Sequence, residues 1–329
     1  MQFLYLLEKI RNSFLDFFFL AVTHIGEELF FLALAIIFFW CIDKKQGYYL
    51  LLTGLVGTVI NQALKLIFKV PRPWIKDKNF TFVGNADVEA TGYSFPSGHT
   101  QNTAGTFGVI AVKSKRRRIR VFCAVIIVLV AFSRMYLGVH TPLDVGVSLA
   151  IAIALTALFY PIFKTDESLD KSAPYICIGS FILSLALVIF AFSLPEAEYE
   201  IQNLESGREN SITLFACMLG FPLIYYSDKH LTKFKTEAAW YAQILKALLG
   251  LGIILLIKVG LSAPLVSLFG NEYVARGVRY FLIVSFAGLI WPLTFKYFGR
   301  MKIEALDKFG EKIKNLFAKE GAAQSTGNK

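Results

Sequence analysis

A chain of 329 residues, 55% of them hydrophobic and with a mean hydropathy of +0.55, carries more apolar mass than a soluble domain and reads as a multi-span membrane protein. The net charge of +10 does not point to nucleic acid, because the basic residues crowd alternate connections between apolar runs. Those connections hold Lys44 and Lys45, Lys113 through Arg120, Lys164 and Lys171, Lys229, Lys233 and Lys235, and the tail after Arg300. Positive-inside reasoning places this set in the cytoplasm. The connection from Pro195 to Asn210 is instead acidic.

In chain order, residues 1–25 are apolar but carry Glu8, Lys9, Arg11 and Asp16. They read as an interfacial N-terminal segment, not a removable signal. Nine spans are expected, at about 26–42, 48–69, 98–112, 121–138, 143–163, 173–194, 211–227, 241–262 and 276–298. The third is short and rich in small polar residues, which a helix inside a bundle tolerates. The fold class is therefore all-α, a polytopic membrane helix bundle with the N-terminus outside and the C-terminus in the cytoplasm. A core over 26–165 is separated by the polar stretch Lys164–Ser172 from an accessory region, 166–298, of four further spans. Lys246 and Lys258 lie within the eighth span, where pairing across the bundle or snorkelling accounts for them. The segment 299–329 reads as an amphipathic cytoplasmic helix (Ile303, Leu306, Phe309, Ile313, Leu316, Phe317) with a Gly/Ser end. Cys41, Cys123, Cys177 and Cys217 have no metal-ligand spacing and read as small buried hydrophobes.

Three polar islands hold almost every residue able to do chemistry: Lys65-x6-Arg72-Pro73, Pro96-Ser97-Gly98-His99, and Ser133-Arg134-x5-His140-x3-Asp144. Charged side chains beside apolar runs are costly unless paired or facing water, which makes them functional candidates. Pro71 and Pro73 stop the second span near Arg72, and Lys65 lies two turns below on the same face. Arg grips two oxygens of a phosphate and Lys supplies a point charge; alone, the pair reads equally as a membrane-interface marker. Ser97-Gly98-His99 resembles a capped helix start, where free N–H groups favour an anion. Thr141, Pro142 and Asp144 also resemble a helix start, so Asp144 reads as a capping carboxylate. Four residues from His140, it can equally accept the imidazole Nδ1–H and free Nε2 as a nucleophile. Charge counting alone puts all three islands at one membrane face.

These islands resemble the three-part signature of the type 2 phosphatidic acid phosphatase superfamily, which also includes glucose-6-phosphatase, sphingosine-phosphate phosphatases and the vanadium haloperoxidases. The match covers roughly residues 50–150 with every motif position filled in order. The resemblance implies that Lys65, Arg72, Ser97, Gly98 and Arg134 hold the phosphoryl oxygens, that His140 attacks phosphorus, that Asp144 orients it, and that His99 protonates the leaving oxygen. It also implies no metal and no cofactor, since the cations and helix start supply the charge stabilisation. The nine-span outline is similar to glucose-6-phosphatase, and Thr23–Asp43 is faintly similar to the sphingosine-phosphate branch.

The expected activity is metal-independent removal of phosphate from a membrane lipid phosphate or pyrophosphate, through a phosphohistidine, at the non-cytoplasmic face of a bacterial cell membrane. The expected partners are that amphiphilic substrate and membrane lipids, not nucleic acid. The apolar part of the loop Trp74–Phe95 (Trp74, Ile75, Phe80, Phe82, Val83, Tyr93, Phe95) reads as a lid or rim. A lipid phosphotransferase would use the same site. A transporter or scramblase would use the cation cluster only to bind headgroups. Oligomeric state and the role of the later spans are not legible.

Overall fold

A backbone surrounded by hydrocarbon must satisfy its own N–H and C=O groups, and the long apolar runs do so as helices. The computed structural model describes residues 1–84, 86, 92–306, 308 and 310, and its regular elements are all helical. The first half holds α1 (Gln2–Lys9), α2 (Ser13–Thr23), α3 (Glu28–Ile37), α4 (Lys44–Phe68), α5 (Pro73–Lys76), α6 (Gly98–Lys113), α7 (Arg117–Tyr136) and α8 (Pro142–Phe159). A 3-10 turn, His24–Gly26, joins α2 to α3, and a π-helical turn continues α3 to Ile42. The second half holds α9 (Asp166–Ser193), α10 (Ile201–Ser227), α11 (Trp240–Gly260), α12 (Ser262–Phe269), α13 (Glu272–Ser285) and α14 (Phe295–Phe298).

The chain is an integral membrane protein. Among the described residues seven helical segments are long and apolar enough to cross a membrane. There are up to eight if Ser13–Gly26 and Glu28–Ile42, bent by 52°, form one span. Nine were expected: the first, at 26–42, falls in the bent pair, and the third is α6, which is not among these segments. Its 16 residues reach only about 24 Å at 1.5 Å per residue, short of a hydrocarbon core of about 30 Å. α6 is instead packed among α4, α7 and α8, with Thr100, Gln101, Thr103 and Thr106 buried. Lipid therefore never meets its polar side chains.

Close approach replaces hydrophobic driving force between such helices. A Cβ at Gly54 of α4 would stand 2.0 Å from the Phe31 ring, and one at Gly57 would stand 2.5 Å from Gln101 Nε2. Side chains as small as hydrogen are what bring α3 and α6 onto α4.

The expected seam at Lys164–Ser172 is not a loop. Thr165 caps α9, accepting from Ser168 N at 3.1 Å, and residues 166–172 are its first turns. A polar, capped helix start looks like a linker when only composition is read. The two halves share one core, in which Phe31, Tyr48 and Leu52 pack with Leu214, Phe221 and Trp291. Trp40 Nε1 donates to Ala287 O at 2.8 Å across them.

Ion pairs sort the connections by end. Lys45–Asp166 (2.6 Å), Lys44–Asp228 (2.6 Å) and Lys229–Asp170 (2.7 Å) gather the basic connections at one end. Lys113 Nζ donates to Phe163 O there at 2.8 Å. The acidic connection lies at the other end, where Tyr199 OH donates to Leu66 O at 3.1 Å and Lys69 pairs with Glu198 at 3.4 Å. The expected tail helix beyond Arg300 falls largely outside the described residues; of its apolar side, Leu306 packs against the main core.

Candidate active site

α4 ends at Lys69, whose left-handed backbone (φ 48°) closes the helix before the two prolines. Along its last turns Thr58, Asn61, Gln62 and Lys65 recur every three or four residues and so share a face. Lys65 Nζ donates to Tyr93 O. Arg72 caps α5 and turns its fork inward: Nε donates to Gly92 O at 3.1 Å and Nη1 to Val139 O at 3.1 Å. Arg134, in the last turn of α7, donates from Nη1 to Thr23 Oγ1 at 2.6 Å. Lys65, Arg72 and Arg134 are 6%, 4% and 1% exposed, so three cations are held together out of bulk water. A buried cluster of like charge favours an anion among its members.

The second island starts α6 as expected. Ser97 is the N-cap and accepts from Thr100 N at 3.4 Å and from Thr100 Oγ1 at 3.0 Å. Its backbone is stitched to α8, with Ser97 N donating to Asp144 O at 3.2 Å and Ser148 Oγ donating to Ser97 O at 2.8 Å. A Cβ on Gly98 would meet nothing within 4 Å. The glycine thus opens space beside the first N–H groups of the helix, as close approach of a ligand requires. His99 follows, and its Nε2 is buried with no hydrogen-bond partner among the described residues. The 3-10 turn presses on its other side, where a Cβ at Gly26 would come within 2.8 Å of His99 Cβ.

In the third island Arg134 O accepts from both Val139 N and His140 N at 3.2 Å, folding the turn back on α7. Thr141 and Asp144 form a full capping box: Thr141 N donates to Asp144 Oδ2 at 2.7 Å, and Asp144 N donates to Thr141 Oγ1 at 3.3 Å. Ser94 Oγ also donates to Oδ2, at 2.7 Å. His140 Nδ1 stands 3.5 Å from the same oxygen. The capping reading of Asp144 is met, whereas for the orienting reading His140 Nδ1 lies near Oδ2 without a hydrogen bond to it.

Arg72 Nη1 lies 2.9 Å from His140 Nε2. A guanidinium only donates, so Nε2 must accept, and the ring proton sits on Nδ1, facing Asp144. Burial, together with Arg72, Arg134 and Lys65, holds the His140 imidazole well below its usual range, hence neutral.

A cavity of about 280 Å³ unites these groups. Lys65, Arg72, Gly98, His99, Arg134 and His140 line it, whereas Ser97 and Asp144 stand behind its wall as cap and support. Glu27, Glu28 and Leu29 complete the lining together with Thr58, Asn61, Gln62, Gln101, Asn102 and Asn210, six residues to which sequence reasoning gave no role in the site. The polar 3–4 spacing along α4 was the available signal; Asn210 had none. Among the apolar loop residues expected as a lid, none lines the cavity. Phe80 packs with Leu4 and Leu7, and Val83 packs with Phe19 and Tyr136, because the aromatic loop finds apolar partners on α1, α2 and α7.

Residues 46–168, which contain all three islands, match the family model described as the PAP2 superfamily. Residues 212–302 match that of the PAP2 superfamily phosphatase transmembrane extension. Two Bacillus subtilis proteins are each 32% identical to this chain: undecaprenyl-diphosphatase BcrC over 155 residues (46% of this chain, 76% of that protein), and phosphatidylglycerophosphatase B over 178 residues (49% and 80%). The chain belongs to the PAP2 superfamily. Another PAP2 relative is sphingosine-1-phosphate phosphatase 1 of Rattus norvegicus, 30% identical over 201 residues, or 57% of this chain and 44% of that protein. The chain thus spans somewhat under half the length of the rat relative.

Proposed function

We propose that this chain is a metal-independent phosphohydrolase that removes phosphate from a membrane lipid phosphate or pyrophosphate through a phosphohistidine at His140. The observation that carries the reading is the convergence of His99 and His140 on one cavity with Lys65, Arg72 and Arg134. A donor set of three cations and two imidazoles suits a tetrahedral anion and is poor for a metal ion. The Bacillus and rat relatives are named for lipid phosphate and diphosphate substrates, which supports an amphiphile here.

In this mechanism the phosphate displaces His140 Nε2 from Arg72, taking the guanidinium for its own oxygens. Nε2 attacks phosphorus, the bond to the leaving oxygen breaks, and His99 gives that oxygen a proton. His99 then takes a proton from water as it attacks the phosphohistidine, releasing phosphate and restoring both rings. Lys65, Arg72, Arg134 and the first amides of α6 at Gly98 hold the charge that builds on the phosphoryl oxygens. Ser97 sets that helix start, and Asp144 keeps the His140 proton on Nδ1 and stabilises the cation that forms.

We place the site at the non-cytoplasmic face of a bacterial cell membrane, with the N-terminus outside and the C-terminus in the cytoplasm. The gathering of the basic connections at the end away from the cavity supports this.

Phosphate release by the purified chain in detergent is the test. Orthovanadate, which mimics five-coordinate phosphorus, should inhibit, and excess chelator should leave the rate unchanged. Loss of turnover on chelation, or none across a broad lipid panel, would defeat the proposal. Gly98→Ala supplies a second check. Its methyl meets no protein atom, so the thermal midpoint should hold while kcat/KM falls about 10-fold or more as the methyl intrudes on the phosphate.

A further inference from the structure

Resting on the phosphohydrolase reading, we propose that the segment ahead of the family match belongs to the catalytic apparatus, with Thr23 as its positioning residue. The Thr23 hydroxyl fixes the Arg134 guanidinium in the orientation that receives the phosphoryl oxygens.

The match to the PAP2 superfamily begins at residue 46, and all three islands lie beyond that point. Thr23 is the last residue of α2. A threonine at a helix end usually turns its hydroxyl to a nearby carbonyl or to water. This one is buried, as is Arg134, and Arg134 Nη1 donates to its Oγ1 at 2.6 Å. Arginine has much rotamer freedom to lose, and its planar fork meets two phosphate oxygens in one orientation only. A bond to Nη1 removes part of that freedom before the substrate arrives. A carboxylate in the same place would also hold the fork, but it would cancel the charge that the anion needs. A hydroxyl holds the fork and leaves the charge.

The position of Thr23 is set by the helix that carries Arg134. Asp16, Phe19 and Thr23 are spaced three and four apart along α2 and so share one face. That face lies along the end of α7. Asp16 Oδ1 accepts from Tyr136 OH at 2.7 Å, and the Phe19 and Tyr136 ring centroids are 4.5 Å apart. Arg11 adds a clamp, its Nε donating to Tyr136 O at 3.1 Å. Beyond Thr23 the chain turns at once onto α6, where Asn102 Nδ2 donates to Gly26 O at 3.4 Å. Thr23 is thus tied to α7, which bears Arg134, and through the next turn to α6, which bears His99. Packing alone would be met by valine, which has the same shape; the arginine requires the oxygen.

The experiment uses the full purified chain in detergent. The substrate panel is phosphatidic acid, a polyprenyl diphosphate and a sphingoid phosphate. Phosphate release is followed with the member that wild type cleaves fastest, and His140→Ala is the blank. Orthovanadate affinity is measured by titration calorimetry, which needs no turnover. Thr23→Val should lower kcat/KM and weaken orthovanadate binding by about 10-fold each, with the thermal midpoint unchanged. Thr23→Ser, which keeps the oxygen, should stay within about 3-fold of wild type. In an Arg134→Ala background Thr23→Val should change orthovanadate affinity by less than about 2-fold, since the bond is already gone. Wild-type values in Thr23→Val, no recovery in Thr23→Ser, or the full loss repeated without Arg134 overturns the inference. His140-dependent release in those cases leaves the phosphohydrolase reading standing. No His140-dependent release from any member of the panel defeats both. Should Thr23→Val not fold, Thr23→Ala takes its place against Thr23→Ser, and equal orthovanadate affinities of the two overturn the inference.

Discussion

His140→Ala should reduce phosphate release by about 10⁴-fold or more, which is about 5.5 kcal/mol of transition-state stabilisation. Loss of an attacking atom cannot be offset by the surrounding cations, so little residual rate is expected. The fold should survive. His140 lies in the turn between α7 and α8, and its backbone bond to Arg134 O does not depend on the side chain. Rapid quench of wild type with ³²P-labelled lipid should trap acid-labile, base-stable label on the peptide containing His140, absent from the variant. Unlabelled wild type under turnover, or a variant retaining a tenth of the rate, would remove the covalent step. The pH profile adds a signed expectation. Burial and the neighbouring cations lower the His140 pKa from its ordinary 6.5. Protonation blocks the nucleophile, so activity is lost as pH falls through that lowered value, and the acid limb of kcat/KM should lie below 6.5. The substrate's own second ionisation, near about 6, is measured separately and divided out.

Arg72→Ala should cost about 10²–10³-fold in kcat/KM, the loss found when one preorganised donor to a developing oxyanion is removed. Arg72→Lys should recover only part of it. Arg72 binds Gly92 O through Nε, and Val139 O and His140 Nε2 through Nη1. A lysine restores the charge but cannot span those partners and two phosphate oxygens together. Millimolar guanidinium should rescue Arg72→Ala and leave Arg72→Lys unaffected, since only the former opens a guanidinium-sized space. Equal activities of the alanine and lysine variants would show that the charge alone contributes nothing, and a lysine variant at the wild-type rate would show that the fork geometry has been overvalued.

Much of the site was legible because its parts are local. Prolines end α4 near Arg72, Ser97 and Thr141 cap helices in three-residue frames, and Asp144 lies four residues from His140. Each is a relation within a turn or two, where backbone periodicity translates spacing into position. Alternating charge on the connections also foretold that the islands would share one end. Span counting was less secure. A length-and-hydropathy criterion assumes that each helix faces lipid, and α6 is enclosed by α4, α7 and α8. That residues 166–172 begin α9 was hidden for a related reason, since a capped helix start and a linker share a composition.

The sequence by itself determined an all-helical membrane protein and the three polar islands with their helix caps, because hydropathy, capping and covalent spacing act over a few residues. Tertiary structure alone decided that Arg72 meets His140 Nε2, that Ser97 and Asp144 stand behind the cavity wall, and that Asn210 completes its lining. It also decided that Glu28 on α3 and Lys258 on α11 border one apolar chamber. Such encounters depend on how side chains of distant helices interlock, and nothing in the order of residues along one helix specifies its neighbour.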